Sequence, residues 1–128
     1  MRKTISTSNA PAAIGPYAQV NIVDNTIYVS GQIPIDPLTG ELKGNDIRTQ
    51  TEQCIKNIDA ILTAAESSLD DVIKTTVYLS SMDDFSAMNE VYAKFFTGRL
   101  LPSRATVEVS RLPKNALVEI EAIAYIEI

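Results

Sequence analysis

PSRATVEVSRLPKNALVEIEAIA, from Pro102 to Ala124, alternates apolar and polar residues on both sides of a proline-containing break. Period-two alternation marks strands with one face toward a core. In the first arm Ala105, Val107 and Val109 alternate with Arg104, Thr106 and Glu108. In the second, Val118, Ile120, Ala122, Ala124, Ile126 and Ile128 share one face, and Glu119, Glu121, Ile123 and Tyr125 share the other. The segment between them holds Pro113, Lys114 and Asn115, which favour turns. The reading is a β-hairpin that projects Arg104, Thr106, Glu119 and Glu121 from one non-core face. A guanidinium fixed beside carboxylates can hold a small carboxylate substrate and activate a water. On an open surface the same residues would be a cross-strand ion pair contributing about 0–1 kcal/mol. Ile123 and Tyr125 on the glutamate face are out of place on a solvated surface and point to cover by another subunit.

Working outward, Asp46 to about Ser67 carries Ile47, Cys54, Ile55, Ile58, Ile61, Leu62 and Ala65 at helical spacing. Cys54 lies in that stripe and reads as a core thiol, with nothing nearby in sequence to lower its pKa. Asp83 to about Thr97 is a second helix with Phe85, Met88, Val91, Tyr92, Phe95 and Phe96 as its packing face and Gly98 as its stop. Strands are expected over Arg2–Ser6, Ala18–Val23, Thr26–Ser30 and Val72–Ser80, with Asp24 and Asn25 as a two-residue turn. The order β-β-β-α-β-α-β-β, without repeats or linkers, predicts one α+β domain over residues 1–128. Two helices would cover one face of a mixed or antiparallel sheet. The other face, bearing Ile123 and Tyr125, predicts an oligomer.

Composition removes several classes of chemistry. The chain has 128 residues, 45% of them apolar, and carries a formal net charge of −5 with scattered basic residues, which argues against nucleic acid. It has no histidine, so it lacks Ser-His-Asp triads, Cys-His pairs and histidine zinc sites. A single cysteine excludes an internal disulfide and any multi-thiolate metal centre. Neither a glycine-rich phosphate loop nor CxxC is present. No cofactor and no metal is implied. The N-terminus lacks an apolar signal region, and no stretch has the length to span a membrane, so a cytoplasmic protein is expected.

NAPAAIGPYAQ (Asn9–Gln19), VSGQIP (Val29–Pro34), PLTGEL (Pro37–Leu42), KTTVYL (Lys74–Leu79), FSAMNEVYAKFF (Phe85–Phe96) and the Pro102–Ala124 block lie in collinear order. Together they resemble the RidA (YjgF) family of enamine and imine deaminases. The resemblance implies a chorismate-mutase-like α+β fold, assembled as a homotrimer with clefts between subunits. It also implies hydrolysis of 2-aminocrotonate, 2-aminoacrylate and their imine tautomers to 2-oxo acids and ammonia, in functional link with pyridoxal-phosphate-dependent threonine and serine dehydratases. By the same resemblance Arg104 would bind the substrate carboxylate and Glu119 would position or deprotonate water. Tyr17, Ser30, Gly31, Asn89 and Thr106 would line the pocket. Read alone, Ser30 is a strand-end hydrogen bonder. The chain departs from the family where Thr106 replaces a frequent cysteine, which excludes a thiolate mechanism, and where Leu101 replaces a frequent aromatic residue. Two alternatives remain at this level, a metabolite-sensing trimer and the endoribonuclease or translation-inhibitor role assigned to some members.

Overall fold

The computed structural model describes residues 1–127, in which a six-stranded sheet carries two helices on one face. The strands are β1 (Arg2–Ile5), β2 (Val20–Val23), β3 (Thr26–Gln32), β4 (Val72–Leu79), β5 (Ser103–Glu108) and β6 (Val118–Tyr125), and the helices are α1 (Ile47–Ala64) and α2 (Phe85–Phe95). The strand order is β1-β2-β3-β6-β4-β5, and every neighbouring pair is antiparallel except β4 with β5. This is the expected α+β class and element order.

Local chemistry sets the helix limits. Asp46 caps α1 by accepting from the Thr49 amide at 3.0 Å, which satisfies one of the orphan donors of a first turn. At the other end Glu66 adopts the left-handed conformation (φ 64°). The amides of Ser67 and Glu66 then return to the Leu62 and Thr63 carbonyls at 2.8 and 3.0 Å. That is a Schellman stop made without glycine. α2 ends at Phe95, ahead of Gly98; the expected glycine stop is not what terminates it. Between the helices and the sheet lie Ile22, Ile27, Ile55, Ile58, Ile61, Leu62, Val77, Leu79, Met88, Val118 and Ile120, all buried. Burial of each such side chain contributes about 1.5–3 kcal/mol. Cys54 is fully buried in this core, where loss of solvent pushes its thiol pKa well up, with a lesser contribution from the Glu119 charge.

The C-terminal block corrects the hairpin expectation. β5 pairs with β4 in parallel and β6 pairs with the opposite edge of β4, so the two arms are separated by a strand. The segment between β5 and β6 spans two strand spacings, about 10 Å, which is within reach of its nine residues. α2 forms the crossover between the parallel strands β4 and β5, as a parallel pair requires.

The sidedness of β5 is corrected as well. Its register sets Arg104 beside Thr75, Thr106 beside Val77 and Glu108 beside Leu79, and these β4 residues are all buried toward the helices. Arg104 and Thr106 therefore belong to the helix-bearing face. Ala105 and Val107 lie with Thr76 and Tyr78 on the open face, where Val107 is 42% exposed. Glu119 and Glu121 stand on that open face too, opposite Tyr78 and Thr76. For β6 the expected faces hold through Ala124; Ile128 lies outside the described residues.

Candidate functional site

The open face carries the first group of polar residues. Between Val29 and Gln32, β3 contains a bulge in which Ser30 and Gly31 together oppose Glu121 of β6. Bulges re-aim side chains and break pairing locally. The Glu119 carboxylate fills the space that a Gly31 side chain would occupy, for a Cβ there would lie 2.2 Å from its Oε2. The Ser30 hydroxyl donates to the Ala18 carbonyl at 2.6 Å and its amide donates to Gln19 at 3.0 Å. Ser30 thus binds β3 to the 9–19 loop. Buried Gln19 holds that loop from the other side, accepting from the Thr7 amide at 2.8 Å and donating to Pro11 at 2.7 Å. The loop delivers Tyr17, half exposed, to the rim.

Tyr17, Ser30, Gly31 and Glu119 consequently line one cleft of about 600 Å³, with Glu121 and Lys114 beside them. Partial burial pushes the Glu119 carboxyl above its ordinary pKa, and the neighbouring Glu121 charge adds to the shift. The Tyr78 hydroxyl donates to Glu121 Oε1 at 2.6 Å. That bond, followed by desolvation and the two glutamate charges, pushes the Tyr78 phenol up to about 12. Of the two carboxylates, Glu121 has a donor fixed on it. Glu119 has none among the described residues and is the one poised to take a proton.

The second group lies across the sheet. Arg104 Nη1 donates to Asn89 Oδ1 at 2.7 Å, and its guanidinium carbon stands 4.7 Å from the Tyr92 ring centre and 5.6 Å from that of Phe85. No carboxylate among the described residues forms an ion pair with Arg104. Its charge is balanced only by ring faces and an amide oxygen, so its remaining donors are open to an anion. Asn89, Tyr92, Ala93, Phe96, Leu101, Pro102 and Arg104 line a recess of about 380 Å³. Thr106, one step along β5, lines neither recess. Its Oγ1 is buried without a hydrogen-bond partner.

The sequence-predicted residues therefore fall into two sets, Tyr17, Ser30, Gly31 and Glu119 on the open face and Asn89 and Arg104 on the helix-bearing face. One chain does not bring them together. Sequence reading missed Tyr92 and Phe85 as partners of Arg104, although Phe85, Asn89, Tyr92 and Phe96 share one face at three- and four-residue spacing. It also missed Gln19 and Lys114; glutamine in a loop and lysine in a turn carry no signal of their own.

Among the described residues no helix is long and apolar enough to cross a membrane, and no cluster of His, Cys, Asp and Glu could hold a metal ion. A profile of the Endoribonuclease L-PSP family matches residues 7–126. A RutC family protein of Pyrococcus horikoshii is 58% identical over 127 residues, covering 99% of this chain and 100% of that protein. The 2-iminobutanoate/2-iminopropanoate deaminase of Mus musculus is 49% identical over 124 residues, covering 97% and 91%. The crystal structure of Escherichia coli TdcF with bound serine superposes with a TM-score of 0.93 at 43% identity, covering 98% and 99%. With a shared fold over nearly its whole length and identities of this size, the chain belongs to the Endoribonuclease L-PSP family, that of the RidA/YjgF proteins.

Proposed function

We propose that this protein hydrolyses 2-imino acids, 2-iminobutanoate and 2-iminopropanoate with their enamine tautomers, to 2-oxo acids and ammonia, without a cofactor. The observation that carries the reading is an arginine fixed by an amide and two ring faces with no carboxylate partner, in a chain that also presents a proton-hungry glutamate over a glycine bulge. A free guanidinium recognises a carboxylate in two-point fashion and keeps its charge at all relevant pH values. The deaminase name carried by relatives such as the mouse protein supports the activity, and the serine-bound relative supports a small carboxylate ligand.

In this reading the active site is shared. Arg104, Asn89 and Thr106 of one subunit face Tyr17, Ser30, Gly31 and Glu119 of the next, in a homotrimer packed through the open sheet face. Partly exposed Tyr28, Val107 and Tyr125 on or beside that face support such packing.

The chemistry asks for orientation and one proton carrier. Arg104 holds the substrate carboxylate, which fixes C2 of the planar iminium in front of a water. Glu119 removes a proton from that water as its oxygen bonds to C2, giving a carbinolamine. The same carboxyl then returns the proton to nitrogen and, ionised again, accepts the carbinolamine hydroxyl proton as the C–N bond breaks. Ammonia leaves as the carbonyl forms, and the proton on Glu119 passes to ammonia or solvent. Positioning is the larger part of the rate, because an imine is already electrophilic. Arg104→Ala tests the assignment: the variant should fold and assemble yet lose turnover, and retained activity in a folded variant would overturn the site.

A further inference from the structure

We infer that Tyr92 is a positioning residue for the carboxylate-binding arginine, its ring acting as the platform that sets the plane of the Arg104 guanidinium. The inference rests on the deaminase reading above and adds a residue to it. Arg104 sits on β5, an edge strand, where a long side chain is free to sample many rotamers. Three contacts restrict it, of which the Phe85 ring, 5.6 Å from the guanidinium carbon, is the more distant ring. Asn89 Oδ1 takes Nη1, and the face of Tyr92 lies 4.7 Å below the guanidinium carbon.

Tyr92 is itself held on three sides. It is only 7% exposed. Its hydroxyl shares a 2.7 Å hydrogen bond with Thr75 Oγ1, a fully buried group on β4 whose register partner is Arg104. Its ring stacks on Phe96 with centres 4.4 Å apart. The strand that pairs with the arginine thus also anchors the ring beneath it. A ring face is electron-rich and attracts a cation without using any of its N–H donors. A carboxylate side chain in the same place would occupy those donors and compete with substrate. Tyr92 therefore orients Arg104 while leaving its hydrogen-bonding edge open.

The test separates ring from hydroxyl and shape from charge, using 2-oxobutanoate and its neutral methyl ester as binding probes beside imine turnover. Tyr92→Phe removes the partner of buried Thr75, so its melting temperature should fall while KM stays within about two-fold of wild type. Tyr92→Leu removes the ring face and should raise KM, and Kd for 2-oxobutanoate, about five- to thirty-fold with kcat nearly unchanged. Binding of the ester should not move. Replacement of Tyr92 by pentafluorophenylalanine keeps the size of phenylalanine, withdraws the negative ring face and covers the case in which Tyr92→Leu fails to fold. It should raise KM and the 2-oxobutanoate Kd relative to Tyr92→Phe.

Equal values for the phenylalanine and pentafluorophenylalanine proteins, in an active enzyme, would overturn the role of Tyr92 and leave the deaminase reading intact. If wild type binds 2-oxobutanoate but does not turn over imine, the deaminase reading fails and the Kd comparison still decides the role of Tyr92. Wild type that neither turns over imine nor binds 2-oxobutanoate overturns both.

Discussion

Arg104→Ala and Glu119→Gln each remove one half of the proposed site, and refolding the two variants together from a denatured mixture should restore turnover that neither shows alone. The prediction follows from sheet geometry. Arg104 shares the helix-bearing face with Thr75, whereas Glu119 shares the open face with Tyr78, and buried Val77 lies between those two residues on β4. A substrate of four carbons cannot bridge both faces of one sheet. The proposed site therefore takes its arginine from one copy and its glutamate from the next.

In an equimolar mixture an intact site needs a Glu119→Gln subunit supplying Arg104 beside an Arg104→Ala subunit supplying Glu119, so about one quarter of the sites are restored, whatever the ring size. The background is low. Loss of a charge-assisted carboxylate contact costs about 2–3 kcal/mol, roughly 30- to 150-fold in kcat/KM. Loss of a general base costs about 10²–10⁴-fold. The assay is 2-oxobutanoate formation from enzymatically generated imine, with unmixed and mixed-but-never-unfolded samples as controls. Activity in the refolded mixture no greater than the mean of the two variants would refute the shared site.

Three further outcomes follow from named contacts. Gly31→Ala places a methyl where the Glu119 carboxylate lies, and because the tip of a flexible side chain can move aside, stability should be nearly kept while kcat falls about 10²-fold through misplacement of the base; calorimetry and kinetics on one sample check both. Glu119 has a raised folded pKa, so its contribution to stability is complete below the ordinary glutamate range and declines as pH rises through the raised value, because the folded state there keeps a proton that the unfolded chain has lost. Glu119→Gln should therefore melt higher than wild type at pH 7 and no higher at acid pH, and the acidic limb of wild-type kcat/KM should lie above the usual carboxylate range. Val107→Asp puts a charge on the open face at a side chain 42% exposed in the single chain; light scattering should show loss of assembly, circular dichroism a retained fold, and turnover should vanish with the oligomer.

Much of the fold can be read directly from residue spacing. Ile47 through Ala65 and the alternation of Val118, Ile120, Ala122 and Ala124 each have one buried face, and those faces are the observed ones. Strand neighbours are another matter. Alternation assigns residues to two faces but not to a partner, and a nine-residue connection serves a hairpin or a crossing over β4 equally well. β5 misleads further because its apolar residues, Ala105 and Val107, point to the face without helices. Hydrophobicity reports that a surface is covered, by this chain or by another copy, and does not say which. Alternation singles out Arg104 and Glu119 as candidate site residues, and the family resemblance supplies the role proposed for each. Their separation onto opposite faces, the bulge at Ser30 and Gly31, and the Tyr92 platform all depend on register, which composition and spacing do not encode.

The most direct test of the account is semicarbazide trapping of the imine released by a threonine dehydratase, followed with and without this protein. Hydrolysis at the proposed site predicts that trapping falls in proportion to added protein while 2-oxobutanoate appears sooner, and that Arg104→Ala has no effect on either. Unchanged trapping in the presence of folded, assembled protein would contradict the proposal that this pocket carries out imine hydrolysis.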